Sequence, residues 1–106
     1  MVALFDQGPP TPCPAPFNMA QYVLEAGQAT PDKIALSVIG GTEGEDWSYA
    51  RLRAAVLGTA SGLLRHGAQP GHRVLMRLGN TSAFPITYLA AIAAGLIAVP
   101  TSAPDR

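Results

Sequence analysis

A chain of 106 residues has room for one domain, and seven basic side chains balance seven acidic ones to a formal net charge of zero. Such a balance creates no field to gather nucleic acid or an anionic membrane, so those partner classes are excluded as electrostatic targets. With 48% hydrophobic and only 13% charged residues, the chain carries less charge than a small free-standing domain usually shows, which fits either a chain that expects partner surface beyond its own or a compact, Ala-rich domain.

The N-terminal MVALFDQGPP has no basic region and only a short apolar stretch before Asp6, so it does not read as a secretory signal. The single cysteine, Cys13, cannot form an internal disulfide, and it lies between Pro12 and Pro14 without a His or carboxylate nearby to activate it. Both features fit a reduced, cytoplasmic setting. Residues 8–16, GPPTPCPAP, hold five prolines in nine positions, which neither helix nor central strand tolerates. Residues 1–16 therefore form an extended leader, and the domain portion starts at Phe17. As a proline-rich docking ligand the leader lacks the usual flanking arginine.

Asn18 is placed to cap a short helix by accepting from the Gln21 backbone, with Gln21 reaching back in turn and Phe17 and Tyr22 forming a hydrophobic staple. Gly27 suits the end of that helix. Ile34–Ile39 is a β-branched run, and after the Gly40–Asp46 turn region an extended line resumes at Trp47, which together predict a hairpin. Gly40-Gly41 lacks the following Lys and helix of a phosphate loop. Ser48 then caps a longer helix to about His66, with Tyr49, Leu52, Val56, Ala60, Leu63 and Leu64 on its buried face. Arg65 and His66 suit the negative helix end, and Gly67 the position after it, so His66 reads as a helix-end residue and not as a ligand.

Gln69–His72 is a turn and Arg73–Leu78 a strand. Asn80, Thr81 and Ser82 are three potential caps for a helix from about Ala83 to Ala94, with Pro85 tolerated in its first turn and Gly95 closing it. Leu96–Val99 is the next strand. This order predicts two adjacent parallel strands carrying the helix between them. Both strands are nearly continuous apolar runs, as in strands covered on two faces. The opposing possibility is a membrane span, because Ala83–Pro100 is 18 residues without a charge. Pro85, Gly95 and Pro100 argue against it, as does the lack of a flanking basic cluster.

Four segments in order resemble the adenylate-forming superfamily of acyl- and aryl-CoA ligases, luciferases and peptide-synthetase adenylation domains. Ala29–Leu36 fits the lead-in of that family, and Trp47-Ser48-Tyr49-Ala50-Arg51-Leu52 is similar to its Thr/Ser-Tyr-x-Glu-Leu motif. Gly67–Val74 resembles its Gly-Val-x-x-Gly-Asp-Arg-Val turn, and Asn80 with Ile92–Pro100 resembles its Asn, Ala-Gly, Val-Pro signature. FNMAQYVL and VPTSA have the flavour of acyl- or benzoate-type CoA ligases. Two positions depart from the pattern: Arg51 stands where Glu is usual, and His72 where Asp is usual, both on what reads as the solvent side.

The resemblance implies an α/β fold, seen here as the N-terminal portion of a large AMP-binding domain over residues 17–106, with helices packed on a β-hairpin and on a parallel strand–helix–strand unit. It implies formation of an acyl-adenylate from a carboxylic acid and ATP with Mg²⁺, then transfer to CoA. It assigns no catalytic, cofactor-binding or metal residue within this chain, because the phosphate loop, the ribose-binding Asp and the catalytic Lys belong to later parts of the family's sequence. Thr101, Ser102 and Asp105 read as structural loop positions. The residues themselves show no paired carboxylates, no metal-ligand spacing and no nucleophile–base pair. Ser61 sits inside a helix, without the strand-to-helix context of a nucleophile elbow. The expected partner is the rest of a ligase domain; a free-standing, non-catalytic binding module and a small membrane-associated protein are the alternatives.

Overall fold

The computed structural model describes residue 4 and residues 6–12, 15–40 and 44–102. The elements run α1 (Met19–Ala26), β1 (Ile34–Val38), β2 (Glu45–Ser48), α2 (Tyr49–Arg65), β3 (Arg73–Met76), α3 (Ala83–Ala93) and β4 (Ile97–Pro100). The fold is α/β, with an antiparallel hairpin β1–β2 and a separate parallel pair β3–β4. No helix among the described residues is long and apolar enough to cross a membrane, and Gly95, at φ 80°, breaks the uncharged stretch between α3 and β4.

α1 begins as its sequence dictates: Asn18 Oδ1 accepts from the Gln21 backbone N–H at 3.1 Å. The reciprocal arm is not made, because the Gln21 side chain turns along the helix to Glu25 at 3.0 Å. Asn18 Nδ2 instead donates to the Ile92 carbonyl at 2.8 Å, tying the start of α1 to the end of α3. The Phe17 and Tyr22 rings meet with centroids 5.5 Å apart, completing the staple.

In the hairpin, Leu36 pairs with Trp47 and Val38 with Glu45, with an irregularity between Ile34 and Leu36. Ser37 Oγ donates across the strands to Asp46 Oδ1 at 2.7 Å. The polypeptide then passes directly into α2. Three amide groups at its start find partners: Tyr49 N donates to Lys33 O and Ala50 N to Pro31 O, each at 3.0 Å, and Arg51 N to Ser48 Oγ at 3.2 Å. This satisfies donors that a helix cannot satisfy internally.

α2 and α3 end in the same way. Gly67 N donates to Leu64 O and Ala68 N to Leu63 O; Gly95 N donates to Ile92 O and Leu96 N to Ala91 O. Both are Schellman closures that need a left-handed residue, supplied by Gly67 at φ 102° and Gly95 at φ 80°. At the start of α3 none of the three expected caps bonds a helix amide through its side chain. Ser82 is already helical at φ −61°, ψ −24°, so its hydroxyl is not placed over the following amides. Phe84 N instead donates to Thr81 O, and Pro85 has no N–H to satisfy.

The core is small. Leu24 of α1, Leu52, Val56 and Ala60 of α2, and Ile86 and Ala90 of α3 form one buried cluster, with Leu36, Trp47 and Leu63 packed against it. Met76 and Leu96 are buried on the side of the parallel pair. Leu64, expected on the buried face, is 44% exposed. β3 starts where expected but ends early, at Met76, and β4 has the expected length but is shifted by one residue, to Ile97–Pro100.

Candidate functional site

Three features of the described surface have the make-up of a site. The first is a cluster where the hairpin meets the starts of α2 and α3. The Glu45 carboxylate accepts from the Trp47 indole N–H. The Ser82 hydroxyl, first, and that indole N–H, with the Arg51 charge adding a smaller effect, hold the Glu45 carboxyl below its ordinary 4.5. The Arg51 guanidinium lies over the Trp47 ring at 3.8 Å and donates to the Asp46 carbonyl at 3.2 Å. Arg51, which departs from the family pattern, is thus solvent-facing but engaged: it clamps the hairpin to the first turn of α2. The Trp47–Arg51 spacing was the one sequence signal for it; the approach of Ser82 had none.

The second feature is a hollow of about 290 Å³ between α1 and α2, lined by Asn18, Gln21, Leu24, Glu25, Arg53 and Leu57 among others. The third, also about 290 Å³, lies between β1 and the start of α3, lined by Leu36, Val38, Asn80, Thr81 and Phe84 among others. Both are open and mixed in polarity. Neither brings a nucleophile beside a base.

The sequence-singled residues are dispersed. His66 caps the C-terminal end of α2 and is exposed; Ser61 lies exposed on the same helix. The His72 imidazole Nδ1 accepts from the Gln69 N–H at 3.1 Å, closing its turn with a side chain that plays the part expected of Asp there. Thr101 donates through both its backbone N–H and its hydroxyl to the Met76 carbonyl, at 2.7 and 2.9 Å, prolonging the β3–β4 pairing; Ser102 is exposed. Gly40 is exposed, whereas Cys13, Gly41 and Asp105 lie outside the described residues. Among the described residues no group of three or more His, Cys, Asp or Glu could hold a metal ion.

At the strand-to-helix turn Gly79–Ser82 the Ser82 hydroxyl faces the Glu45 carboxylate, with the Arg51 charge close by. The cluster links the hairpin to the first turn of α2 through Arg51 and Trp47.

The geometry matches a known scaffold. The family model described as AMP-binding enzyme matches residues 23–104. The chain therefore belongs to the AMP-binding enzyme family. It is 46% identical over 61 residues to a 4-coumarate–CoA ligase-like protein of Oryza sativa, spanning 54% of this chain and 10% of that one. It is 30% identical over 83 residues to a medium-chain fatty-acid–CoA ligase of Escherichia coli, spanning 78% of this chain and 14% of the ligase. Among solved structures, a fatty acyl-adenylate ligase from Legionella pneumophila, in complex with acyl adenylate and pyrophosphate, superposes with a TM-score of 0.77 at 26% identity, covering 82% of this chain and 15% of that one. The chain thus spans only a tenth to a seventh of the length of these relatives.

Proposed function

We propose that this chain is the N-terminal portion of an ATP-dependent acyl- or aryl-CoA ligase, and that these 106 residues alone do not activate carboxylates. The observation that carries the reading is the family match over residues 23–104, in relatives of which the chain spans so little. In such a ligase the carboxylic acid would be joined to AMP with release of pyrophosphate, and then passed to CoA as a thioester. ATP, Mg²⁺ and CoA would be handled by later parts of the protein, and the cytoplasm is the setting this chemistry suits. The present residues would serve as scaffold: their partner is the rest of the ligase domain. Without donors preorganised around the transferred group, charge developing in the reaction has nothing to stabilise it.

Pyrophosphate exchange with purified chain, across aliphatic and aromatic acids, tests the inactivity; the expected result is no exchange above the buffer rate, and robust exchange would overturn it. Reading the gene beyond codon 106 tests the ligase assignment separately. A downstream coding sequence with a Ser/Thr/Gly-rich phosphate loop supports it, and its absence in every frame leaves a free-standing binding module.

A further inference from the structure

The turn that leads into β3 is closed by a side chain that can change its charge. The Gln69 N–H donates to His72 Nδ1 at 3.1 Å, and the His72 N–H donates back to the Gln69 carbonyl at 2.9 Å. A backbone amide can only donate, so Nδ1 must offer a free lone pair, and the neutral ring carries its proton on Nε2. A second proton has only Nδ1 to go to. It would put a hydrogen on Nδ1 facing the Gln69 hydrogen, and the bond would be replaced by a close approach of two donors. His72 and Gln69 are both exposed, so solvent protons reach the ring directly.

The same turn holds the beginning of the parallel pair. Gly71 N donates to Gly95 O at 2.9 Å and Ile97 N to His72 O at 2.8 Å. These bonds join the approach to β3 to the approach to β4. Pro70 lies against Gly95, where an added Cβ would stand 3.4 Å from Pro70 Cβ. Residues 95–97, which lie against the turn, carry no titratable side chain, and the charged or titratable groups nearest in the chain are Arg65 and His66 at the end of α2 and Arg73 after the turn. None of these is a carboxylate, so a charge gained by the ring is not offset there.

We infer that the Gln69–His72 turn is a pH-sensitive latch on the start of the β3–β4 pair, closed while the His72 imidazole is neutral and released when it takes up a proton. The contribution of the Gln69–Nδ1 bond is whole while the ring is neutral and is lost as the ring is protonated, so it disappears on the acid side, between about pH 8 and about pH 5 where imidazoles titrate. A carboxylate at this position would remain an acceptor throughout that interval, because Asp ordinarily gives up its proton near about pH 4.

Nuclear magnetic resonance on the isotope-labelled 106-residue chain tests this at the atoms concerned. In wild type at neutral to basic pH, the ring nitrogen shifts of His72 should place its proton on Nε2; a proton on Nδ1 overturns the inference. On acidification the Gln69 amide proton should move upfield along the titration of the His72 ring and not that of His66. Over the same interval the Ile97 amide should lose about fivefold in exchange protection, corrected for the intrinsic rate, in keeping with the loss of one net hydrogen bond. His72→Asp should keep both readouts constant, and His66→Gln should reproduce the wild-type profile. His72→Ala should show the released state at both ends of the range; if that variant does not fold, wild type and His72→Asp decide alone. A Gln69 amide and an Ile97 protection that stay constant while His72 titrates overturn the latch, as does a pH dependence that persists in His72→Asp.

Discussion

Gly27 shows how one side chain's absence sets a junction between helices. Its φ of −90° is open to any residue, so backbone freedom is not the reason for glycine there. A Cβ on Gly27 would stand 2.1 Å from Tyr49 Cδ1, so the end of α1 and the start of α2 approach closely only because that atom is missing. Gly27→Ala should therefore destabilise by about 1–3 kcal/mol, the usual cost of overpacking, and Tyr49→Ala in the same background should recover part of the loss. Urea midpoints of the two single variants and the double variant check this; additive losses would show that the clash is not the cause. Glu45 makes a second residue-scale prediction. Its carboxyl is lowered in the fold by Ser82 and Trp47, so the unfolded chain binds the proton more readily. Its stabilisation is fully present above its ordinary 4.5 and is lost as pH falls through the lowered folded value. Denaturant titrations from neutral pH to about pH 3 should show that acid-side loss, and Glu45→Gln should flatten that portion of the curve. An unchanged pH slope in the variant would mean the carboxylate is free of the hairpin–helix cluster.

At the scale of elements, α2 was legible from residues because every device that makes it is local. Ser48 caps it, Gly67 closes it, and Leu52, Val56 and Ala60 lie buried at helical spacing. Leu64 broke the pattern: α2 has 17 residues and its main partner α3 only 11, so the turn carrying Leu64 lacks cover despite its spacing. Leu52→Ala should then cost about 2–4 kcal/mol, and Leu64→Ala under about 0.5 kcal/mol, measured by chemical denaturation. Comparable losses at the two sites would contradict this packing. In α3 the same reasoning had less to work with. It is apolar nearly all round, because it packs against α2 on one side and the parallel pair on another, so periodicity cannot name its buried face. The shift of β4 has a specific cause. The Leu96 N–H is used to close α3 on the Ala91 carbonyl, so strand pairing begins one residue later, with Ile97 N donating to His72 O at 2.8 Å. That competition between helix closure and strand ladder is decided by tertiary geometry. The Glu45–Ser82 approach is of the same kind: it depends on how the hairpin lies against α3, and neither segment encodes it alone.

For the whole molecule, surface is the decisive quantity. A compact monomer of 11.0 kDa should expose about 5,600 Å², whereas this chain exposes 8043 Å². Its radius of gyration is 16.7 Å, against about 13 Å for a globular chain of this length. Exposed side chains among the described residues account for part of the excess, with Leu4 85%, Leu75 73% and Ile97 48% exposed. Relative to an unfolded chain exposing about 16,000 Å², folding buries roughly half the surface, where a typical domain of this size buries about two-thirds. Heat capacity and denaturant sensitivity both follow the area exposed on unfolding. Calorimetry should accordingly return an unfolding heat-capacity change near 1.1 kcal/mol/K, about three-quarters of the value ordinary for 106 residues. The urea m-value should fall by the same fraction, and the thermal transition should be broad, because the buried cluster that must melt together is small. The exposed aliphatic side chains of β3 and β4 should also make the isolated chain prone to association on heating. Deleting residues 1–16 should leave the melting temperature unchanged, which separates their share of the excess surface from that of the sheet. A sharp two-state transition with the full heat-capacity change would mean that the chain closes on itself in solution, and that its α/β unit needs no further layer.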